Sequence, residues 1–175
     1  MRKQITVTLL IISSFVLQFA LSGYLAVFGI YPNFILAAVL CVSLIEQPTT
    51  AMIVGFTGGI LVDLISGGIM GLNAFTHTLS CYVVSISSTD KTILSRWKSA
   101  GLIYVAGVMN YSIIFVMLFL FGMVSDYSYF LRIVSIGPVY NLFISVLILS
   151  SIRVAVLPKD RYGELERIGS FRGKI

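Results

Sequence analysis

The chain has 175 residues, of which 58% are hydrophobic and 11% charged, with a mean hydropathy of +1.00. A water-soluble domain carries roughly 25% charged residues, so this composition excludes a fold that faces water all round. A bilayer helix needs ~20 residues, so six spans consume most of the length. That places one transmembrane domain over residues 1–158 and a basic tail over 159–175, with no room for a separate soluble domain.

Apolar runs divided by polar or Gly/Pro punctuation predict six helices, an all-α membrane bundle. The first covers Ile5 to Ile30 and stops at Tyr31-Pro32-Asn33. Its start resembles a signal peptide, with Arg2-Lys3 ahead of an apolar stretch and Ala20-Leu21-Ser22 as a cleavage-like site. Such a peptide has an apolar core of ~7–15 residues; hydrophobicity here runs on to Ile30, so an uncleaved first helix is expected. The second, Phe34 to Ile45, is short for a span. A start at Pro32, a favoured first-turn residue, lets it cross nearly the whole bilayer, and a full span is expected over a re-entrant segment.

The third helix runs from Thr49 to Ser66 and is broken by Gly67-Gly68-Ile69-Met70-Gly71, and the fourth runs from Leu72 to Ser88. A basic connection, Thr89 to Ser99, leads to the fifth, Ala100 to Val124. The sixth, Ile133 to Leu157, has Pro138 in its first turns.

Orientation follows from the basic residues, which concentrate in cytoplasmic loops. With the amino terminus inside, eleven of the twelve fall on the cytoplasmic side: Arg2, Lys3, Lys91, Arg96, Lys98, Arg153 and the five in the tail. Arg132 alone falls outside. Both termini are therefore expected in the cytoplasm. The basic loop and tail read as flanks that hold orientation and attract anionic lipid. The net charge of +5 does not point to nucleic acid, since no aromatic–basic patch lies outside the spans.

Ionisable groups within a span are costly and are the first places to look for function. Two stand out. Asp63 lies fourteen residues after Thr49, roughly 21 Å along a helix, and His77 reaches a similar depth in the next helix. A contact between them, direct or through water, is allowed. Gly55, Gly59 and Asp63 recur every four residues and share one side of the third helix. Gly55-x-x-x-Gly59 is a small-residue face against which another helix packs closely, and it is the expected partner interface. Asp63 on that side either fixes packing and caps the Gly67-Gly68 turn, or forms a proton or ligand site; the structural role is favoured. His77 is read in the same way, as a packing histidine ahead of a ligand.

Asn110 and Asn141 are mid-span amides expected to bond across helices. Cys41 and Cys81 sit inside apolar runs and read as small packing residues. No cofactor or metal is expected, because a single histidine supports no His/Cys/Asp/Glu cluster. Neither G-x-S-x-G nor a P-loop occurs, so an enzyme is not expected.

The segment from Tyr31 to Tyr82 carries a further pattern. Pro32-Asn33 opens a helix, Gly55-Phe56-Thr57-Gly58-Gly59-Ile60-Leu61-Val62-Asp63-Leu64-Ile65-Ser66-Gly67 follows, and then Gly71-Leu72-Asn73-Ala74. Centred on about fifty residues, it resembles the bacterial rod shape-determining protein MreD family; length, span count and the basic loop extend the likeness loosely over the chain. The resemblance implies a component of the inner-membrane elongation machinery that makes lateral peptidoglycan, associated with MreC in an assembly that links MreB, RodA and an elongation-specific penicillin-binding transpeptidase. It also implies similarity to the substrate-binding subunit fold of energy-coupling-factor transporters. No catalytic residue comes with it. Pro32, Asn33, Gly59, Asp63, Ser66, Gly67 and Gly71 are carried over as motif positions with a structural or interface role. The connection between the second and third helices departs from the family pattern in holding one charge, Glu46.

Two functions from different classes follow: a non-catalytic membrane scaffold in cell-shape control, or a small-molecule-binding subunit of a vitamin-type transporter. The second requires an outward pocket lined by polar groups such as Asn73, His77 and Asn141.

Overall fold

The computed structural model describes residues 2–21, 23–26, 29–88, 96–124 and 127–156. Within them lie six helices and no other extended element: α1 (Arg2–Leu21), α2 (Phe34–Ser43), α3 (Pro48–Ser66), α4 (Leu72–Ser87), α5 (Arg96–Leu120) and α6 (Tyr127–Val156). The all-α bundle expected from the sequence is what the chain forms. Three of the helices contain stretches long and apolar enough to cross a membrane: Pro48–Ser66, Trp97–Leu120 and Ser128–Ser150. The basic tail and most of the basic loop, residues 91–95, lie outside the described residues.

The architecture is a ring around a core helix. α2 touches all five other helices, and those five contact one another in the closed order α1, α3, α4, α5, α6. From Ile35 to Ser43 no residue of α2 is more than 1% exposed. A helix that is apolar all round is a buried one, and FILAAVLCVS is such a sequence.

This corrects the expected full span for α2. At ten residues it measures about 15 Å, half of a ~30 Å hydrocarbon core. Nor does it start at Pro32. Asn33, with φ −108° and ψ 87°, is the N-cap, and its Oδ1 accepts from the Leu36 N–H at 2.8 Å. Such a cap fixes where a helix begins. Pro32, itself buried, lies outside the helix. The apolar run that looked like lipid-facing helix is apolar because protein surrounds it.

α1 is also shorter than expected, ending at Leu21 instead of Ile30. The N–H groups of Tyr24 and Leu25 both donate to the Leu21 carbonyl, closing a turn. The chain passes Gly29, which has φ +79°, and none of the described residues between Leu25 and Asn33 is helical. α6 begins at Tyr127, six residues earlier than expected, so Pro138 sits well inside it.

Glycines set the spacing of the ring. A Cβ at Gly55 would lie 2.9 Å from both the Cys81 Sγ and the His77 carbonyl; one at Gly58 would lie 2.7 Å from Val39 Cγ1. At Gly59 it would fall inside van der Waals contact of Ala74 Cα and the Asn73 carbonyl. α3 thus uses Gly55 and Gly59 against α4, and Gly58 against α2. On the other side of the ring, Gly137 of α6 accepts the Tyr111 ring of α5.

At Gly59 the obstructing atoms are backbone and cannot swing aside. Gly59→Ala is expected to destabilise the protein by about 1–3 kcal/mol, the usual cost of overpacking. Gly101, inside α5 with nothing within 4 Å of its would-be Cβ, is the control: Gly101→Ala should be neutral or up to about 1 kcal/mol stabilising. Thermal unfolding in detergent measures both, and equal midpoints for the two variants would contradict the packing described.

Candidate functional site

Asp63 lies in the last turn of α3, three residues before its end, and is 3% exposed. Its two oxygens accept four hydrogen bonds. Oδ2 takes the Gly71 and Ala74 N–H groups at 2.9 and 3.1 Å; Oδ1 takes the Asn73 backbone N–H at 3.0 Å and the Asn73 side-chain amide at 2.9 Å. These backbone donors belong to the first turn of α4, which has no intrahelical partners for them. An N-cap side chain ordinarily supplies such an acceptor, but the N-cap here is Gly71, which has none. Asp63 reaches across from α3 and does the work in its place.

The surrounding motif serves the same clasp. Gly67 ends α3 with φ +62° and Gly71 starts α4 with φ +91°, left-handed values that favour glycine. Ser66 Oγ donates weakly to the Asp63 carbonyl at 3.4 Å. Gly59 lets Asn73 and Ala74 approach closely enough for Asp63 to reach them. The face of Gly55 and Gly59, expected to receive a partner protein, is filled by α4 of the same chain.

A second polar cluster lies where α2 begins. Asn33 N–H donates to Asn141 Oδ1 of α6 at 3.2 Å, and Phe34 N–H to Gln18 Oε1 of α1 at 2.7 Å. Gln18 Nε2 donates in turn to the Pro32 carbonyl at 3.0 Å. His77, fully buried, pairs its Nε2 with Asn33 Nδ2 at 3.5 Å. Its Nδ1 has no hydrogen-bond partner, although the Asn73 carbonyl one turn earlier acts on the ring. Asp63 and His77 are near enough to interact electrostatically, but the described hydrogen bonds take each to different partners. Asn141 therefore belongs with Asn33 and His77, and Asp63 with Gly71 and Asn73.

The other end of α2 is secured from α4. Ser88 Oγ donates to the Leu44 carbonyl at 3.1 Å and Ser85 Oγ to the Glu46 carbonyl at 2.8 Å. Asn110 crosses from α5 to Ser80 of α4 at 3.3 Å. Sequence reasoning passed over Gln18, Ser85 and Ser88. Their signal was present: Gln18 is the one amide in the apolar stretch of α1, and the two serines lie three residues apart at the end of α4, Ser88 being its C-cap.

Above the start of α2, on the axis of the ring, is a cavity of about 460 Å³. Pro32 and Asn33 close its base, and Val62, Ile65, Ile114 and Ile133 line it from α3, α5 and α6. Gln18, Ser66, Asn73, Tyr111 and Tyr129 contribute polar groups, and no lining residue is charged. His77 and Asn141 lie beneath it, not in its lining. Among the described residues no group of three or more His, Cys, Asp or Glu side chains is placed to hold a metal.

A ring of helices around a buried polar core, three of them apolar and long enough to cross a bilayer, defines an integral membrane protein. The chain belongs to the rod shape-determining protein MreD family, whose model matches residues 1–153. That membership gives it a role in determining rod cell shape, and with the apolar helices it places the chain in the inner membrane. No curated protein and no solved structure matches the chain significantly.

The clasp predicts an order of stabilities. Asn73→Ala removes one of the four hydrogen bonds to Asp63 and leaves the backbone donors paired. Asp63→Asn replaces one acceptor oxygen with an NH₂ group that must face N–H donors. Hydrogen bonds to charged groups contribute about 1.5–3 kcal/mol each, so Asp63→Asn should cost more than Asn73→Ala, by about 1–3 kcal/mol. Denaturation in mixed micelles measures this order, and the reverse order would sink the clasp.

Proposed function

We propose that the chain is a non-catalytic scaffold of the elongation complex that makes lateral peptidoglycan, acting through association with an MreC-like protein. RodA, the elongation-specific penicillin-binding transpeptidase and MreB are the further partners of that assembly, and both termini lie in the cytoplasm. Family membership supports the cellular role. The carrying observation is how the motif residues are employed: Gly55, Gly59, Asp63, Gly67 and Gly71 are committed to joining α3 to α4, and Asn33 to capping α2. These side chains build a rigid body and leave broad apolar surface outside it. Ile5, Leu9, Ile12, Val16 and Phe19 of α1 are each at least 54% exposed, as suits lipid or a partner's transmembrane helix. The bias of basic residues supports the orientation.

One observation favours the second reading, a small-molecule-binding subunit of a vitamin-type transporter: the cavity above α2. The two readings differ in partners. Under the scaffold reading, the affinity-tagged chain extracted in mild detergent retains an MreC-like protein, and its clean deletion turns rods into spheres. A normal rod after deletion, with ATP-hydrolysing coupling subunits in the purified complex, would reverse the order of the two readings.

A further inference from the structure

The cavity follows from the length of α2. Five helices form a ring, α3 shares no close backbone contact with α5 or α6 across it, and α2 is the element that fills the interior. Because α2 is ten residues long, it fills the axis over about 15 Å and stops. The taller helices continue past its first residue and wall the space beyond, which is open on one side. The cavity, at about 460 Å³, falls within the ~300–1,000 Å³ range of small-molecule sites, which are mostly apolar with a few placed polar groups.

The lining restricts what fits. No acidic, basic or histidine side chain lines the cavity, and an ion stripped of water there would have no counter-charge. The start of a helix offers N–H groups to an anion, but three of those at the start of α2 are taken, and Ile35, which carries the fourth, is not among the lining residues. Asn33 N–H is held by Asn141, Phe34 N–H by Gln18 and Leu36 N–H by Asn33 itself. What remains is neutral. Tyr111 is 6% exposed, and its hydroxyl faces the Asn141 side chain without making a hydrogen bond of good geometry. Asn73 gives its amide N–H to Asp63, and no hydrogen bond takes up its Oδ1 among the described residues; Tyr129, close enough to Tyr111 to act on it electrostatically, adds a second hydroxyl to the lining.

We propose that this cavity is a binding site for an uncharged amphipathic molecule, an apolar frame bearing carbonyl or hydroxyl groups that meet Tyr129 and Asn73. With the amino terminus in the cytoplasm, the site opens to the outer face of the membrane. The site stands on the geometry above and requires neither the scaffold partners nor a transporter partner.

The test uses the full chain in phosphatidylethanolamine/phosphatidylglycerol nanodiscs. The probe is the neutral dye Prodan, an aromatic ketone, with anilinonaphthalene sulfonate as the anionic comparator. Prodan is expected to show a saturable component above that of empty discs, and the sulfonate none. Ile114→Trp and Ile65→Trp fill the cavity from opposite walls and should weaken Prodan binding at least tenfold; size exclusion and circular dichroism establish that each is folded. Tyr129→Phe removes one hydroxyl without filling space and should weaken it severalfold. The proposal is overturned if Prodan shows no saturable component, if the sulfonate binds equally well, or if a folded tryptophan variant binds as wild type. Should neither tryptophan variant fold, unchanged affinity in Tyr129→Phe overturns it. Retention of the MreC-like protein by a folded tryptophan variant separates loss of this site from loss of scaffolding.

Discussion

A peptide group buried in an apolar bundle must find its hydrogen bond within the protein, and α2 meets this constraint in its most demanding form. A helix that crosses a bilayer can leave its end groups to water. α2 stops in the interior at its first residue, so each polar group around that end needs a partner from another element. Gln18 provides two bonds from α1, Asn141 one from α6 and Asn33 one from the chain itself. An unmade bond at such a site costs about 1–3 kcal/mol. The four together therefore decide whether the re-entrant path of residues 29–33 is stable at all.

The closed ring depends on the same helix. Its members do not touch across the axis, so their spacing is set by what each presents to α2 and to its neighbours. α3 is the extreme case. It approaches α2 through Gly58 and α4 through Gly55 and Gly59. Dispersion rewards such approach only when no side chain intervenes. The same approach brings the first turn of α4 within reach of Asp63. Packing and capping are thus coupled at this hairpin: the glycines bring α4 close, and Asp63 satisfies the donors that closeness would otherwise bury unpaired.

Much of this was legible in the sequence. The four-residue spacing of Gly55, Gly59 and Asp63, followed by Gly67 and Gly71, encodes a tight helix hairpin, because spacing on a helix fixes facing. A structural role for Asp63 was expected at the Gly67-Gly68 turn; its donors come instead from Gly71, Asn73 and Ala74, at the start of α4. Two things were not legible. Whether a small-residue face receives a helix of the same chain or of another is decided by loop length and topology, not by the face. The depth of α2 was hidden because a ten-residue apolar helix reads alike whether lipid or protein surrounds it. The clue was indirect: polar residues placed inside neighbouring apolar runs, Gln18 and Asn141, which a simple lipid-facing span has no use for.

The cavity and the buried helix have one cause, the shortness of α2. The space is open on one side, so water or a solute can occupy it and it is not an empty core void. A scaffold needing only rigidity could close it by extending α2 upward. Instead Pro32 lies immediately before the cap, where the missing N–H and the clash of its ring with a preceding helical turn disfavour such an extension, and Gln18 and Asn141 secure the end where it stands. The sequence thus maintains the opening with residues from three elements.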